Sequence, residues 1–401
     1  MKRLVFFPSD PIKAYIEKGH TYDFLDNYYN PGGFFDEVYC LSPWGDKDYE
    51  TIGEIHYIKA KPEHFSKIIK RIKPDVVRGY GGYCCADWVS ISKVKGIPTV
   101  VSVHDKRPEM IYDSLEYADA LFCTTKAVLN AVKNKIHFNS NNMWILPNRI
   151  EPDLFKYKYE ATFFEALNKK YGKGKHILHI GRKSEEKNLD TVIKSLRYLD
   201  ENISLIAVGQ GDPSKYIDLA KNENMLNRCY FLDRIEYTQM PLWYSWCDCF
   251  CVPSKSEGFG CVFIEAAACE ALVITSNIGP MNEYLTNREN SILVDDFENP
   301  KEIAKAIEFS LADENKNLIE EMKKNARKVG LAFSKEKIDA QEIALYERAM
   351  SLIANNLVNA QLLHDMRMNG RKQAIGRYKQ KLKNMIKKSC HIITNLLGIS
   401  K

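Results

Sequence analysis

The sequence predicts two doubly wound α/β domains in tandem. Short apolar runs alternate with amphipathic ones at the spacing of strand–helix units through most of the chain. The short runs are rich in Val, Ile and aromatic residues and show no polar alternation, as expected of strands in a parallel sheet covered on both faces. The pattern is interrupted near residues 147–170 by turn formers and a charged helix, which marks a linker. The length, 401 residues, suits two to three domains at roughly 150 residues each.

The first domain, 1–150, opens on an apolar strand at 4–7, followed by strands at 37–41, 55–58, 75–78, 99–103, 120–124 and 143–146. Several follow a Pro or Gly. Between them lie helical patterns such as Phe65, Ile68, Ile69 and Ile72 with Lys on the outer face. The second domain, 151–355, repeats the style, with strands at 176–180, 204–208, 229–232, 249–252, 273–276 and 291–294. Its helices are expected at 189–199, 213–221, 241–247, 262–271, 281–286 and 300–312. Ser334 is the expected N-cap of an amphipathic helix at 334–355 that presents Ile338, Ile343, Leu345, Tyr346 and Met350. Residues 356–401 have helical composition and no strand signal. Sites in such sheets lie at the carboxyl ends of strands, so two domains face to face would form a cleft.

Composition excludes several classes. The chain is 45% apolar and 27% charged, which rules out disorder as the main state. Its 21 Gly and 15 Pro show no period, which rules out a fibrous class. Eleven Cys, an odd number without framework spacing, read as reduced thiols of a cytosolic protein. No run of about 18 uncharged apolar residues suggests a membrane span, and the apolar run after Met1-Lys2-Arg3 is too short for a signal-peptide core. The net charge of +5 is unevenly spread. Residues 366–401 hold ten Lys or Arg and no Asp or Glu, which leaves the rest of the chain at −5.

The densest chemical signal is Ser256-Glu257-Gly258-Phe259-Gly260-Cys261-Val262-Phe263-Ile264-Glu265-Ala266. A strand enters a glycine loop and an apolar helix leaves it. The glycines let backbone N–H groups at the helix N-terminus approach an anion or a sugar. Glu265, among Phe263, Ile264 and three alanines, needs hydroxyl or cationic partners if it is buried. The competing reading, one solvated Glu on a surface helix, has little polar face to support it. The second signal is Gly181-Arg182-Lys183-Ser184-Glu185-Glu186-Lys187-Asn188, at the end of the domain's first strand. Arg182 and Lys187 suit a diphosphate, as a planar fork and a mobile ammonium. The competing reading is a charged surface loop. Val208-Gly209-Gln210-Gly211 is a bare glycine turn, and His104 ends a first-domain strand facing the expected cleft. Cys247, Cys249 and Cys251, alternating with Asp248 and Phe250, are expected to share a buried apolar face. No Asp-x-Asp loop is read as holding Mg²⁺ on a phosphate, and no metal site is expected.

These residues, with Val252-Pro253-Ser254 and Ile278-Gly279-Pro280-Met281-Asn282-Glu283, resemble the family 4 retaining glycosyltransferases along roughly 175–350. The segment Leu146-Pro147-Asn148-Arg149-Ile150 is similar to the stretch before that family's linker. The resemblance implies the GT-B fold, two Rossmann-like domains with the acceptor on the first and a nucleotide-diphosphate sugar on the second. It implies that Arg182 and Lys187 hold the diphosphate, that Gly181, Gly209 and Arg234 serve the donor, and that Glu265 binds the ribose hydroxyls. Glu257, Gly258, Phe259, Gly260 and Cys261 are implied to contact the donor sugar, and His104 to reach it from the other domain. The implied catalytic set is His104, Glu257, Arg182 and Lys187, with no cofactor beyond the donor substrate. Pro280 and Asp233 stand where the family usually or often has Gly, and Pro8-Ser9-Asp10-Pro11 lacks its usual glycine pair.

The implied reaction transfers a sugar to a glycan or lipid-linked acceptor in cell-surface polysaccharide assembly, without a metal. Two rivals are a non-catalytic GT-B partner subunit and a nucleotide-sugar epimerase. In a helix at 378–397, Tyr378, Leu382, Met385, Ile386, Ile393, Leu396 and Leu397 would share a face, with Lys and Arg elsewhere. That pattern suits an anionic membrane surface and a cytoplasmic, peripheral location; the competing reading is a helix packed on the body or a loose basic end. Nucleic acid is not an expected partner, because the body is acidic and no recognition motif is present.

Overall fold

The computed structural model describes residues 1–17, 19–369 and 371–372. The first sheet contains β1 (Arg3–Phe7), β2 (Glu37–Ser42), β3 (Tyr49–Ile52), β4 (Ile55–Lys59), β5 (Val76–Tyr80), β6 (Thr99–Val103), β7 (Ala120–Cys123) and β8 (Met143–Ile145). Their order is β3-β4-β2-β1-β5-β6-β7-β8, parallel throughout except where β3 pairs antiparallel with β4. The second sheet contains β9 (Lys175–Ile180), β10 (Ile203–Val208), β11 (Cys229–Leu232), β12 (Cys249–Val252), β13 (Val273–Ser276) and β14 (Ile292–Val294). Their order is β11-β10-β9-β12-β13-β14, and every pairing is parallel. Strand order reverses at β1 and at β9, and crevices open at the carboxyl ends beside such switch points.

The apolar runs become strands because helices bury both faces. Every residue of β6 and of β10 is buried. In the first domain, Val5 and Phe7 face one core and Leu4 and Phe6 the other, the period-2 alternation of a strand serving two layers. The second domain divides similarly, with Leu178 and Ile206 in one core and Ile177 and Leu205 in the other. Cys249 and Cys251 lie on one face of β12, as expected. Cys247 does not join them, because it ends the helix Met240–Trp246 and enters the opposite core.

Two elements escape the sequence pattern. The strand β3 is an edge strand with an exposed face and so carries little apolar signal. The helix Lys316–Ala332 is rich in charged residues, and Ile319, Met322, Ala326 and Gly330 supply its buried side. Gly330 sits against Ala268, where a Cβ would fall 2.7 Å from that residue's backbone.

The last long helix runs Lys335–Met350, shorter than the expected 334–355, and the Ser334 side chain makes no capping bond. It follows the second domain in sequence and packs on the first. Ile338, Tyr346 and Ala349 enter the core formed by Leu4, Phe6 and Phe122. The chain beyond stays on the first domain. Asn355 N–H donates to Asp119 Oδ1 (2.7 Å), Asn359 N–H to Ser90 O (3.1 Å), and Met366 packs against the other core, that of Val5 and Phe7. Residues 360–369 are helical. The amphipathic helix expected at 378–397 lies outside the described residues. Among the described residues no helix is long and apolar enough to cross a membrane.

Candidate functional site between the two sheets

Three adjacent strands build the first wall of the cleft. β1, β5 and β6 are neighbours, and their carboxyl ends lead into Ser9, the Tyr80–Tyr83 turn and His104. Gly81 has φ 127°, and a Cβ there would meet the Tyr83 ring at 2.9 Å, so the turn folds Tyr83 back over its own glycine. Tyr83 Oη donates to Ser9 O at 3.4 Å. Burial, and next the positive field of Arg78, push His104 down to about 4, so its ring is neutral at pH 7.

Behind His104 lies a buried charge network. Arg78 pairs with Glu342 and donates to Tyr346 Oη (2.7 Å) and Ser102 Oγ (2.9 Å). Arg149 pairs with the other oxygen of Glu342 (2.6 Å) and with Asp339 (2.8 Å), while Lys335 takes a second position on Asp339 (2.7 Å). Arg149 also donates to the carbonyls of Asn27 and Tyr28. Removing one member of such a network would strand a buried charge. Glu342 and Asp339 come from the last helix, so the C-terminal crossover completes the first domain's wall.

The second wall is made of two glycine loops pressed together. Gly181 N–H donates to Val208 O at 2.9 Å, and a Cβ on Gly209, with φ 144°, would fall 1.8 Å from Gly181 O. The Lys187 stem lies across Gly181, and its Nζ donates to Glu257 Oε1 at 2.5 Å. Glu257 also accepts from Ser254 Oγ at 2.7 Å, and the Lys187 and Glu257 side chains are 14% and 10% exposed. Arg182 differs, with a side chain 69% exposed and 3.6 Å from Glu186.

Gly260 (φ 84°) precedes the helix Cys261–Ala268, and a Cβ there would strike the Phe263 ring at 2.5 Å. Cys261 Sγ accepts from Asn148 Nδ2 of the linker at 3.3 Å. Phe259 is buried. Its ring is core, edge-on to Phe333, and its carbonyl accepts from Tyr284 Oη at 2.7 Å. Glu265 is buried, with Tyr244 Oη donating to Oε2 at 3.1 Å. Burial pushes its carboxyl up to about 7, which the tyrosine only partly opposes. A carboxylate so placed gains strongly from further hydroxyl donors.

Glu265, Cys261 and Tyr237 of the second domain line one cavity of about 420 Å³ with Ser9, Tyr28, Tyr80, Tyr83 and His104 of the first. The expected residues Glu265, Cys261 and His104 thus share one space. Lys187, Glu257, Gly181 and Gly209 form a connected group on the second sheet, and Arg182 stands at its exposed side. Arg234 points elsewhere in this structure, its Nη1 donating to Glu17 O at 2.6 Å.

The domains meet through contacts that sequence reading did not foresee, some of them made by residues it had named for other reasons. A Cβ on Gly258 would fall 1.8 Å from His104 O, so that glycine permits backbone-to-backbone contact across the interface. Gly258 O accepts from Thr125 Oγ1 at 3.1 Å. Glu283 accepts from the N–H groups of Lys126 (2.8 Å) and Ala127 (2.7 Å), capping the first-domain helix Lys126–Lys135 from the other domain. Lys106 donates to Gly279 O (2.7 Å), and Arg107 links Asp105 to Glu186 (2.7 Å). Only their position at strand ends could have flagged them.

The chain has an Asp-x-Asp triplet, Asp46-Lys47-Asp48, that sequence reading passed over. It lies between β2 and the edge hairpin of β3 and β4, and Asp46 and Lys47 line a separate cavity with Trp44 and Tyr57. Among the described residues, no group of three or more His, Cys, Asp or Glu is placed to hold a metal ion.

The chain is similar to known proteins in sequence and in fold. Residues 161–329 match the family described as glycosyl transferases group 1. The chain is 25% identical over 251 residues to an uncharacterized glycosyltransferase, MJ1178, of Methanocaldococcus jannaschii, covering 60% of this chain and 66% of that one. It is 29% identical over 233 residues to the capsular polysaccharide biosynthesis glycosyltransferase CapM of Staphylococcus aureus, covering 52% and 57%. The chain thus spans less than two thirds of the length of both relatives. Anabaena Alr3699/HepE, solved in complex with UDP-glucose, superposes with a TM-score of 0.69 at 17% identity, over 88% of this chain and all of that one. The chain has the GT-B fold of two Rossmann-like domains, and residues 161–329, within its second domain, are similar to the group 1 glycosyl transferases.

Proposed function

We propose that this chain is a family 4 retaining glycosyltransferase. It moves a sugar from a nucleotide-diphosphate sugar to a glycan or lipid-linked acceptor in surface-polysaccharide assembly, without a divalent metal. The observation that carries the reading is the joining of Lys187 and Glu257 at the carboxyl ends of β9 and β12, one helix away from the buried Glu265. Similarity to CapM supports the polysaccharide role, and HepE's complex with UDP-glucose supports the donor class.

The donor's ribose hydroxyls bond to the Glu265 carboxylate. Its diphosphate lies over the Gly181 and Gly209 loops against Lys187 and Arg182, and Glu257 and the amides after Gly258 hold the sugar. Breaking the bond from the anomeric carbon to the diphosphate leaves the electron pair on the phosphate oxygen. Lys187, Arg182 and the N-terminus of the helix Cys261–Ala268 stabilise that charge; one preorganised donor is worth roughly 3 kcal/mol. The acceptor hydroxyl attacks the same face and passes its proton to the departing phosphate oxygen. His104, neutral at working pH, bonds to the transferred sugar rather than adding charge. The basic segment 366–401 holds the enzyme at the cytoplasmic face of an anionic membrane.

The test is a screen of UDP-, GDP- and ADP-sugars for nucleotide release by the purified chain in excess chelator. Turnover of one of them is the expected result. Complete loss on chelation, restored by Mg²⁺ or Mn²⁺, overturns the metal-free mechanism. No turnover of any donor, with or without metal, overturns the assignment.

A further inference from the structure

The first-domain wall is aromatic where it faces the cavity. In the helix Tyr22–Tyr29, Phe24 and Tyr28 stand four residues apart and so share one face, while Leu25 and Tyr29 turn into the core. The Phe24 and Tyr28 rings stack at 5.9 Å, and Tyr28 meets Tyr80 at 5.8 Å. Tyr83 joins them from the end of β5, and both Tyr28 and Tyr83 are half-buried. This wall lines the same cavity as His104 and Glu265.

The charges around the same cavity are distributed in a telling way. Among the described residues, the Lys and Arg that line it are Arg149 and Lys335. Both are committed, Arg149 to Glu342 and Asp339, Lys335 to Asp339. The lining carboxyls, Glu151 and Glu265, are both raised by burial, which reports a site that resists negative charge. The cations assigned to the diphosphate, Arg182 and Lys187, belong to the other loops and do not line this cavity.

Resting on the donor reading above, we infer that Tyr28 and Tyr83 form the acceptor subsite, and that the sugar carrying the accepting hydroxyl is an uncharged pyranose. The C–H face of a pyranose is weakly positive and apolar, and it complements the negative face of an aromatic ring. The phenol hydroxyls bond to the ring's equatorial oxygens. A uronate or phosphosugar would bring an anion into a low-dielectric space beside two carboxyls and, among the described residues, no lining Lys or Arg that is not already paired. The recognition excludes charge as much as it attracts the neutral ring.

The experiment measures binding of two probes to the full chain at pH 8, saturated with whichever of UDP, GDP or ADP it binds. The probes are methyl β-D-glucopyranoside and its uronate, followed by saturation-transfer NMR. The neutral glycoside should bind at least about tenfold more tightly than the uronate, with saturation strongest on its ring C–H protons. Tyr28→Ala and Tyr83→Ala should each weaken it by about tenfold, with nucleotide affinity within about twofold, and Tyr28→Phe should retain most of it. Equal or tighter binding of the uronate overturns the inference. So does binding of neither glycoside, or unchanged glycoside binding in alanine variants that still bind nucleotide. Failure to bind any nucleotide refutes the donor reading instead, and the inference falls with it.

Discussion

Substituting Glu265 by Gln should stabilise the protein at alkaline pH while impairing it as an enzyme. Burial raises this carboxyl from its ordinary 4.5 to about 7. The native state therefore keeps a proton that the unfolded chain has already lost. The stability this group contributes is fully present below about pH 4.5 and is lost as pH rises through 7. A shift of that size corresponds to about 3 kcal/mol, at 1.36 kcal/mol per unit. Gln cannot ionise, yet its carbonyl oxygen can still accept from Tyr244 Oη. Urea unfolding of both proteins at pH 5 and pH 8 isolates the effect, because other titrating groups cancel in the difference. The Gln variant should gain about 3 kcal/mol relative to the native chain between those pH values. Donor binding should move the other way. Ribose hydroxyls favour the ionised carboxylate, so affinity for the nucleotide sugar should fall roughly tenfold from pH 8 to pH 6 in the native chain. The variant should bind weakly and independently of pH. An equal stability difference at both pH values, or a pH-independent native affinity, would refute the burial of a titrating Glu265.

The other expectations are more direct. Lys187→Ala removes the ammonium joined to Glu257, and donor turnover should fall at least about a hundredfold with the fold intact by circular dichroism. Near-normal turnover would remove Lys187 from the site. Glu283→Ala uncaps the helix Lys126–Lys135 across the interface and should weaken domain contact by about 1 kcal/mol. A larger radius of gyration by small-angle scattering and a KM raised about fivefold are expected, and no change in either would show that the cap does not hold the domains. Because Met366 packs on the first domain, truncation should begin after residue 372. Loss of residues 373–401, with seven Lys or Arg, should abolish salt-sensitive co-sedimentation with anionic vesicles and spare donor binding. Equal sedimentation of both forms would assign the basic segment another role.

Residues whose placement depends on their immediate neighbours were legible in the sequence. Gly181, Lys187, Glu257 and Glu265 stand at fixed short distances from a strand end, so the strand–loop–helix unit itself presents them. Burial of Glu265 followed from Phe263, Ile264 and the alanines beside it. The antiparallel strand β3 and the helix Lys316–Ala332 were not legible, because an edge strand and a mostly solvated helix need few apolar residues. The Asp46–Asp48 triplet was visible yet silent about its place, which only the sheet order sets at an outer edge.

By itself the sequence determined the two α/β domains, their parallel strands and the loops of the second wall, since hydrophobic period and glycine placement act over a few residues. Only the tertiary structure decided what those loops face. Glu342 reaches Arg78 across 264 residues, Glu283 caps a helix 156 residues away, and Gly258 touches His104 through backbone alone. The last helix closes the first domain because its Ile338, Tyr346 and Ala349 complete a core begun by the first strand. Contacts of this kind depend on where two separately formed surfaces meet, and no local pattern of side chains encodes that meeting.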